Sequence, residues 1–172
     1  MTLRQILTEP NKILRQKSLP VDNVHKDTQI LMDDMLETMY AAPGIGLAAI
    51  QVGMPKRIIV LDIEQKEGKK NPLFFINPEI IEKSKNLLTY EEGCLSVPGQ
   101  FAEIERPDRC HIKYLDYNGE KKEINAKGML ATCIQHEMDH LEGILFIDNL
   151  SKLKKSMIIK KLSKLKSNTA IL

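Results

Sequence analysis

The sequence predicts an α+β domain: antiparallel β-sheets packed around a central His-Glu-x-x-His helix, with an N-terminal helix and a C-terminal amphipathic helix. Three observations carry that prediction. Short runs rich in β-branched and aromatic residues fill the middle of the chain, between residues 57 and 126. Helical spacing of apolar residues is confined to the two flanks. Asn118-Gly119 lies between two of the short runs and marks an antiparallel hairpin. With 172 residues, no internal repeat and no dividing linker, residues 1–172 read as one domain with material for a real core.

The elements follow in order. Residues 11–17 suit a short helix. Ile30, Leu31, Met35, Leu36 and Met39 recur at helical spacing through 26–40, with acids on the other face. Pro43-Gly44-Ile45-Gly46 ends that helix and opens a flexible loop. Residues 57–61 form a short buried strand, and residues 67–72 a polar loop. Strands are expected at 73–76, 79–84 and 87–91, interrupted by Asn77-Pro78 and Lys85-Asn86. Three more are expected at 101–106, 110–116 and 120–126, the last two joined by a type I′ turn at Asn118-Gly119. Gly128 precedes the histidine helix. A basic amphipathic helix covers about 151–166, its stripe traced by Leu150, Leu153, Met157, Ile158, Leu162 and Leu165.

Composition narrows the function classes. Hydrophobic residues at 42% and charged residues at 28% are ordinary globular values. Net charge is +2, so no strong nucleic-acid signature covers the whole chain. The charge is uneven, however. Residues 151–172 hold seven lysines and no acid, which leaves 18 Lys and Arg against 23 acids, or −5, in the first 150 residues. The opening residues lack the apolar run of a signal peptide. No stretch approaches the ~20 apolar residues of a membrane span. Three cysteines are too few for a disulfide framework. The expectation is a cytoplasmic protein with no membrane contact and no sequence-specific nucleic-acid binding, whose thiols are free to act as ligands.

The chemistry concentrates in Gln135-His136-Glu137-Met138-Asp139-His140. On a helix, His136 and His140 project from one face about one turn apart and can converge on a single cation. Glu137 points ~100° away from His136, beside a water on that cation rather than on the cation itself. Two histidines leave a tetrahedral ion short of one protein ligand, with a further position open to water. Cys133 is excluded by distance, since residues 133 to 140 span ~10.5 Å of helix axis. Cys110, mid-strand beside His111, reads as an ordinary buried thiol. Cys94 has the better setting, in Glu91-Glu92-Gly93-Cys94-Leu95-Ser96, where glycine frees the backbone and Ser-Val-Pro interrupts the strand. The pattern alone leaves the third ligand open.

Met129, Thr132 and Cys133 lie within about 60° of His136 on the helical wheel. With Ile45 they suit either a mostly apolar pocket or plain core. Glu92 is expected to anchor its loop by an ion pair, with Arg106 as one candidate partner. Asp139 suits a supporting carboxylate. His25 and His111 show no partner pattern, and the eight methionines read as core.

Three segments together resemble the peptide deformylase family: Gly44-Ile45-Gly46-Leu47-Ala48-Ala49-Ile50-Gln51, Glu92-Gly93-Cys94-Leu95-Ser96, and Gln135-His136-Glu137-Met138-Asp139-His140-Leu141. The similarity runs over roughly residues 3–165. The resemblance implies hydrolysis of the N-terminal formamide of N-formylmethionyl nascent polypeptides, with release of formate and a metal-bound water as nucleophile. It implies Cys94, His136 and His140 as metal ligands and Glu137 as general acid/base. It implies Gln51 and the Leu95 N–H on the formyl oxygen, Gly46 along the substrate main chain, and a pocket for the methionine side chain. It also implies Fe²⁺ as the metal, with Zn²⁺, Ni²⁺ or Co²⁺ able to replace it. For the basic C-terminal helix it points to docking on the ribosome. Two other readings of the motif are a small zincin-type metallopeptidase and a non-catalytic metal-binding module. The first wants a third His or Glu downstream and finds only Glu142 and Asp148 close by; the second wants a fourth protein ligand, and none is evident.

Overall fold

A computed structural model describes residues 2–65 and 68–169, with side chains as far as residue 166. Helix α1 (Lys26–Ala41) begins after His25 and ends ahead of Pro43-Gly44. It buries Leu31, Met32, Met35 and Met39, while Ile30 of the expected stripe faces solvent. Beyond it lie β1 (Gly46–Ala48), a 3₁₀ turn (Ala49–Val52), β2 (Ile58–Leu61) and β3 (Leu73–Lys83). Strands β4 (Leu87–Cys94) and β5 (Val97–Pro107) form a two-stranded sheet. Strands β6 (Arg109–Leu115) and β7 (Lys121–Lys127) complete a five-stranded sheet of order β1-β2-β3-β6-β7. Every strand pair is antiparallel. Helix α2 (Met129–Leu141) and helix α3 (Lys152–Thr169) finish the chain.

Strand β2 explains how the layers hold together. All four of its residues are fully buried. Alternate side chains point to opposite faces of a sheet, so Ile58 and Val60 pack with the α1 residues Met32 and Met35. Ile59 and Leu61 pack with Ala131, Ile134 and Leu141 of α2. The five-stranded sheet is thus sandwiched between α1 and α2 at β2, and α2 also touches β5 of the smaller sheet. That places the histidine helix between the two sheets.

Several local expectations are corrected. The short helix at 11–17 is a 3₁₀ turn over Lys12–Arg15. The glycine loop carries β1 and the 3₁₀ turn rather than remaining free. The strands expected at 73–76 and 79–84 are one strand, β3, which bulges through Asn77 and Pro78. Asn77 takes φ 50°, a conformation asparagine tolerates. Its side chain accepts from Val21 N–H and donates to Val21 C=O, each at 2.8 Å. The proline therefore sits at a bulge, where its missing N–H costs nothing.

The Asn118-Gly119 connection is not type I′, which needs positive φ at both residues. Only Gly119 has it, and Gly119 N–H donates to Asp116 C=O to close a three-residue loop. The polar loop keeps its place, although Glu67 lies outside the described residues. The apolar stripe of α3 is divided. Leu162 is buried with Ile158 and Ile159 against Phe146 and Val97, while Leu153, Met157 and Leu165 face outward.

Candidate active site

The hairpin turn between β4 and β5 and the second half of α2 build the site. Cys94 ends β4, opposite Val97 across a two-residue turn made by Leu95 and Ser96. Its Sγ lies 3.3 Å from His140 Nε2. One donor atom from each of Cys94, His136 and His140 falls within 4.8 Å of the others. Among the described residues no other group of three such side chains converges in this way. The donor set is a soft thiolate with two imidazoles, which suits a divalent transition metal. Both imidazoles are buried and Cys94 is half-buried, so the group is closed on the protein side and open on the other. Cys110 and Cys133 stand apart as buried thiols, each pushed up by burial, to about 11 and about 12 respectively.

The two histidines are held differently. His136 Nδ1 lies 2.8 Å from Glu92 Oε2, so a proton on Nδ1 leaves Nε2 for an ion. Burial lowers the His136 pKa, but hydrogen bonds to Cys94 and Glu92 outweigh it and hold the ring well above the ordinary value. Glu92 is gripped in turn by Arg106, through Nε at 2.5 Å and Nη2 at 3.0 Å, and Arg106 Nη1 donates to Asp139 at 2.8 Å. The expected Glu92–Arg106 pair is present, but Glu92 does more than anchor its loop: it also orients a candidate ligand. Burial and the nearby His136 push the His140 pKa well down, and its Nδ1 has no hydrogen-bond partner among the described residues. A neutral ring of that kind can ligate a cation.

Glu137 sits beside this group with its Oε2 buried and unpartnered, and burial pushes its carboxyl up to about 7. Gln51 is fixed at both ends. Its Oε1 accepts from Ala48 N–H at 2.9 Å, and its Nε2 donates to Ser96 Oγ at 3.0 Å while lying 3.6 Å from Cys94 Sγ. The role of Ser96 could not be read from the motif, because its partner is 45 residues away.

A cavity of about 480 Å³ opens over these groups. Its wall includes all the sequence-predicted pocket residues, namely Ile45, Gly46, Met129, Thr132 and Cys133, together with Gln51 and Leu95. It does not include His140, which is buried. Tyr90, Glu91, Pro98 and Phe101 also line it and were not anticipated. Phe101 faces Gly93 across the hairpin, a register that only the folded strands reveal.

Known proteins match most of this chain. The family model described as polypeptide deformylase matches residues 3–156. The chain is 69% identical to the peptide deformylase of Pelagibacter ubique (strain HTCC1062), over 99% of each chain. It is 57% identical to that of Maricaulis maris (strain MCS10), covering 98% of this chain and 97% of the relative. Among solved structures, peptide deformylase from Ehrlichia chaffeensis in complex with actinonin superposes with a TM-score of 0.90 at 46% identity, covering 95% of this chain and 98% of that one. The Legionella pneumophila enzyme does so with a TM-score of 0.90 at 42% identity, covering 98% of each.

Proposed function

The chain belongs to the polypeptide deformylase family, and we infer that it hydrolyses the N-terminal formamide of N-formylmethionyl polypeptides, releasing formate. The observation that carries this reading is the convergence of Cys94, His136 and His140 beside a buried carboxylate and a fixed amide, at the base of one open cavity.

Cys94, His136 and His140 would hold the metal, and Fe²⁺ is the ion proposed. Zinc, nickel or cobalt suit the same donors, because affinity alone does not select iron at such a site. A divalent ion held by them would supply Lewis acidity toward the formyl carbonyl and toward water, and its charge would hold Glu137 more acidic than burial alone does.

The chain's own groups divide the remaining work. Glu137 takes a proton from the attacking water and returns it to the departing amine nitrogen. Its place outside the Cys94, His136 and His140 donor group and its buried, unpartnered oxygen suit that exchange. The Gln51 Nε2 amide, locked by Ala48 and Ser96, donates to the oxyanion that forms on the formyl carbon, and the Leu95 N–H is its proposed companion. Because Gln51 is held before substrate arrives, little reorganisation is needed during the reaction. Gly46 lets the substrate main chain approach. Ile45, Met129, Thr132 and Cys133 take the methionine side chain in a mostly apolar wall.

The proposal includes a single catalytic domain acting in the cytoplasm, with the lysines of α3 docking on the ribosome. No helix among the described residues is long and apolar enough to cross a membrane.

Formate release from a formyl-methionyl peptide, measured beside metal content, tests the assignment. Glu137→Gln is expected to keep the metal and lose at least about a hundredfold in rate. Cys94→Ala loses the metal, whereas Cys110→Ala and Cys133→Ala keep it. Full metal content in Cys94→Ala, or near-normal turnover in Glu137→Gln, sinks the reading.

A further inference from the structure

Resting on the oxyanion role given to Gln51, we propose that Leu7 and Glu9 are positioning residues for deformylation. Their N–H groups form a strap that fixes Gln51 against Ser96 and so aims the second hydrogen of the Gln51 amide at the formyl oxygen.

Gln51 and Ser96 come from elements far apart in the chain, the 3₁₀ turn after β1 and the turn between β4 and β5. Both are buried, and the bond from Gln51 Nε2 to Ser96 Oγ joins them at 3.0 Å. The amide nitrogen carries two hydrogens. Ser96 Oγ takes one, which sets the direction of the other. Any slide of Ser96 relative to Gln51 therefore turns the donor, and an oxyanion donor works only over about 2.7–3.1 Å.

A third segment joins the main chains of the same two residues. Leu7 N–H donates to Gln51 C=O at 2.7 Å, and Glu9 N–H donates to Ser96 C=O at 2.8 Å. In an extended chain, N–H groups two residues apart point the same way and stand about 6.7 Å apart. The strap thus acts as a spacer across the two residues that build one donor. It is tied at both ends. Upstream, Arg4 N–H donates to Thr38 Oγ1 at 2.9 Å and the Arg4 guanidinium holds Asp34. Downstream, the buried Glu9 carboxylate faces Arg15 at 3.4 Å, and Arg15 is held by Asp148 at 2.6 Å. A buried carboxylate is costly unless paired, so Glu9 commits the strap to this path. Leu7, Glu9 and Arg15 do not line the cavity. What they contribute to the rate passes through the residues they hold.

Leu7→Pro removes the N–H that holds Gln51 and changes no residue of the cavity wall. Its kcat on a formyl-methionyl tripeptide is expected to fall roughly tenfold, a fraction of the hundredfold or more that a whole oxyanion donor supplies. KM and metal content should stay within about twofold of wild type. Leu7→Ala keeps the N–H and should recover most of the lost rate. The deciding readout is a double-mutant cycle. In a Gln51→Ala background, Leu7→Pro should cost less than about twofold, because the strap has no amide left to aim. A second readout needs no turnover: the Gln51 side-chain NH2 resonances, assigned by their loss in Gln51→Ala, should shift or broaden in Leu7→Pro. If Leu7→Pro does not fold, Arg15→Gln, which loosens Glu9, goes through the same measurements with about threefold expected in place of tenfold. An unchanged kcat, unchanged Gln51 resonances, or an equal loss with and without the Gln51 side chain overturns the proposal while deformylation stands. A wild-type rate in Gln51→Ala, or no formate from the wild type, overturns the reading beneath it instead.

Discussion

Gly46 and Glu137 approach so closely that nothing larger than hydrogen fits on residue 46: a Cβ there would lie 2.5 Å from Glu137 Oε1 and 2.7 Å from Leu61 Cδ2. The approach joins the edge strand of the large sheet to the acid/base carboxylate on α2. Glu137 supplies two of the three nearest atoms, Oε1 at 2.5 Å and Cδ at 3.0 Å, and Leu61 beside it is fully buried, so the added methyl displaces the carboxylate. Gly46→Ala is therefore expected to keep the metal and lose at least about tenfold in kcat/KM, since misplacement of about 1 Å can cost roughly a hundredfold. Undiminished turnover in a folded, metal-loaded Gly46→Ala protein would contradict this.

Arg106 is expected to control metal affinity from a distance. It touches neither the candidate ligands nor the cavity, yet it holds Glu92, and Glu92 holds His136. The Arg106 and Glu92 side chains are 8% and 5% exposed. Arg106→Met leaves a buried carboxylate uncompensated, at roughly 3–5 kcal/mol, and frees the His136 ring. Metal affinity, measured by chelator competition, should fall about 10–100-fold. Asp139→Asn should do less, because Asp139 is 29% exposed on its side chain and touches only the outer nitrogen of Arg106. Equal metal affinity in wild type and Arg106→Met rejects the relay.

Acid stability should depend on Asp34, which clips the N-terminal segment to α1. The Thr2 N–H, at 2.7 Å, and then the Arg4 guanidinium hold its carboxyl below the ordinary 3.8, against the opposing effect of burial. A folded-state pKa below the unfolded one stabilises the fold above the ordinary carboxylate value. That contribution is lost as pH falls through the folded value. Asp34→Asn should thus be less stable than wild type at neutral pH by roughly 1–3 kcal/mol. In urea unfolding the deficit should close as pH drops below 3.8. A gap that stays constant from neutral pH into acid rules out the ionised pairing as its source.

The parts of this molecule that were legible in its sequence are those fixed by short spacings. The i, i+4 histidines of α2 and the buried run Ile58–Leu61 needed only local geometry, whereas Cys94 is one of several open candidates until the family resemblance is weighed. What escaped depends on partners far along the chain. Asn77-Pro78 reads as a break until Val21, 56 residues away, supplies the clamp that makes it a bulge. Glu92 reads as a loop anchor until His136, 44 residues away, turns toward it. Periodicity also cannot say which side of a helix meets the body. In α3 the face led by Leu162 does, and Leu153 and Met157 do not.

That division of α3 sets the terms for testing the ribosome. Leu162 is 3% exposed in a cluster with Phe146, whose ring stacks on His136 with centroids 6.1 Å apart. Asp148 ties Lys155 to Arg15, at 2.5 and 2.6 Å, and Lys166 reaches the Thr8 carbonyl. Removing the helix would strip cover from the site as well as charge from the surface, so truncation confounds stability with docking. Lys152, Lys154, Lys160 and Lys161 are exposed and lie outside that cluster. Replacing these four by glutamine removes cations and leaves the buried face intact. If α3 docks on ribosomal phosphates, every lysine–phosphate pairing removed should flatten the salt dependence of binding by up to ~0.9 in log–log slope. Co-sedimentation at low salt should fall at least about tenfold, while formate release from a short peptide stays within about twofold of wild type. Equal co-sedimentation of the two proteins at low salt would remove the ribosome from the account and leave α3 as a cap over Phe146.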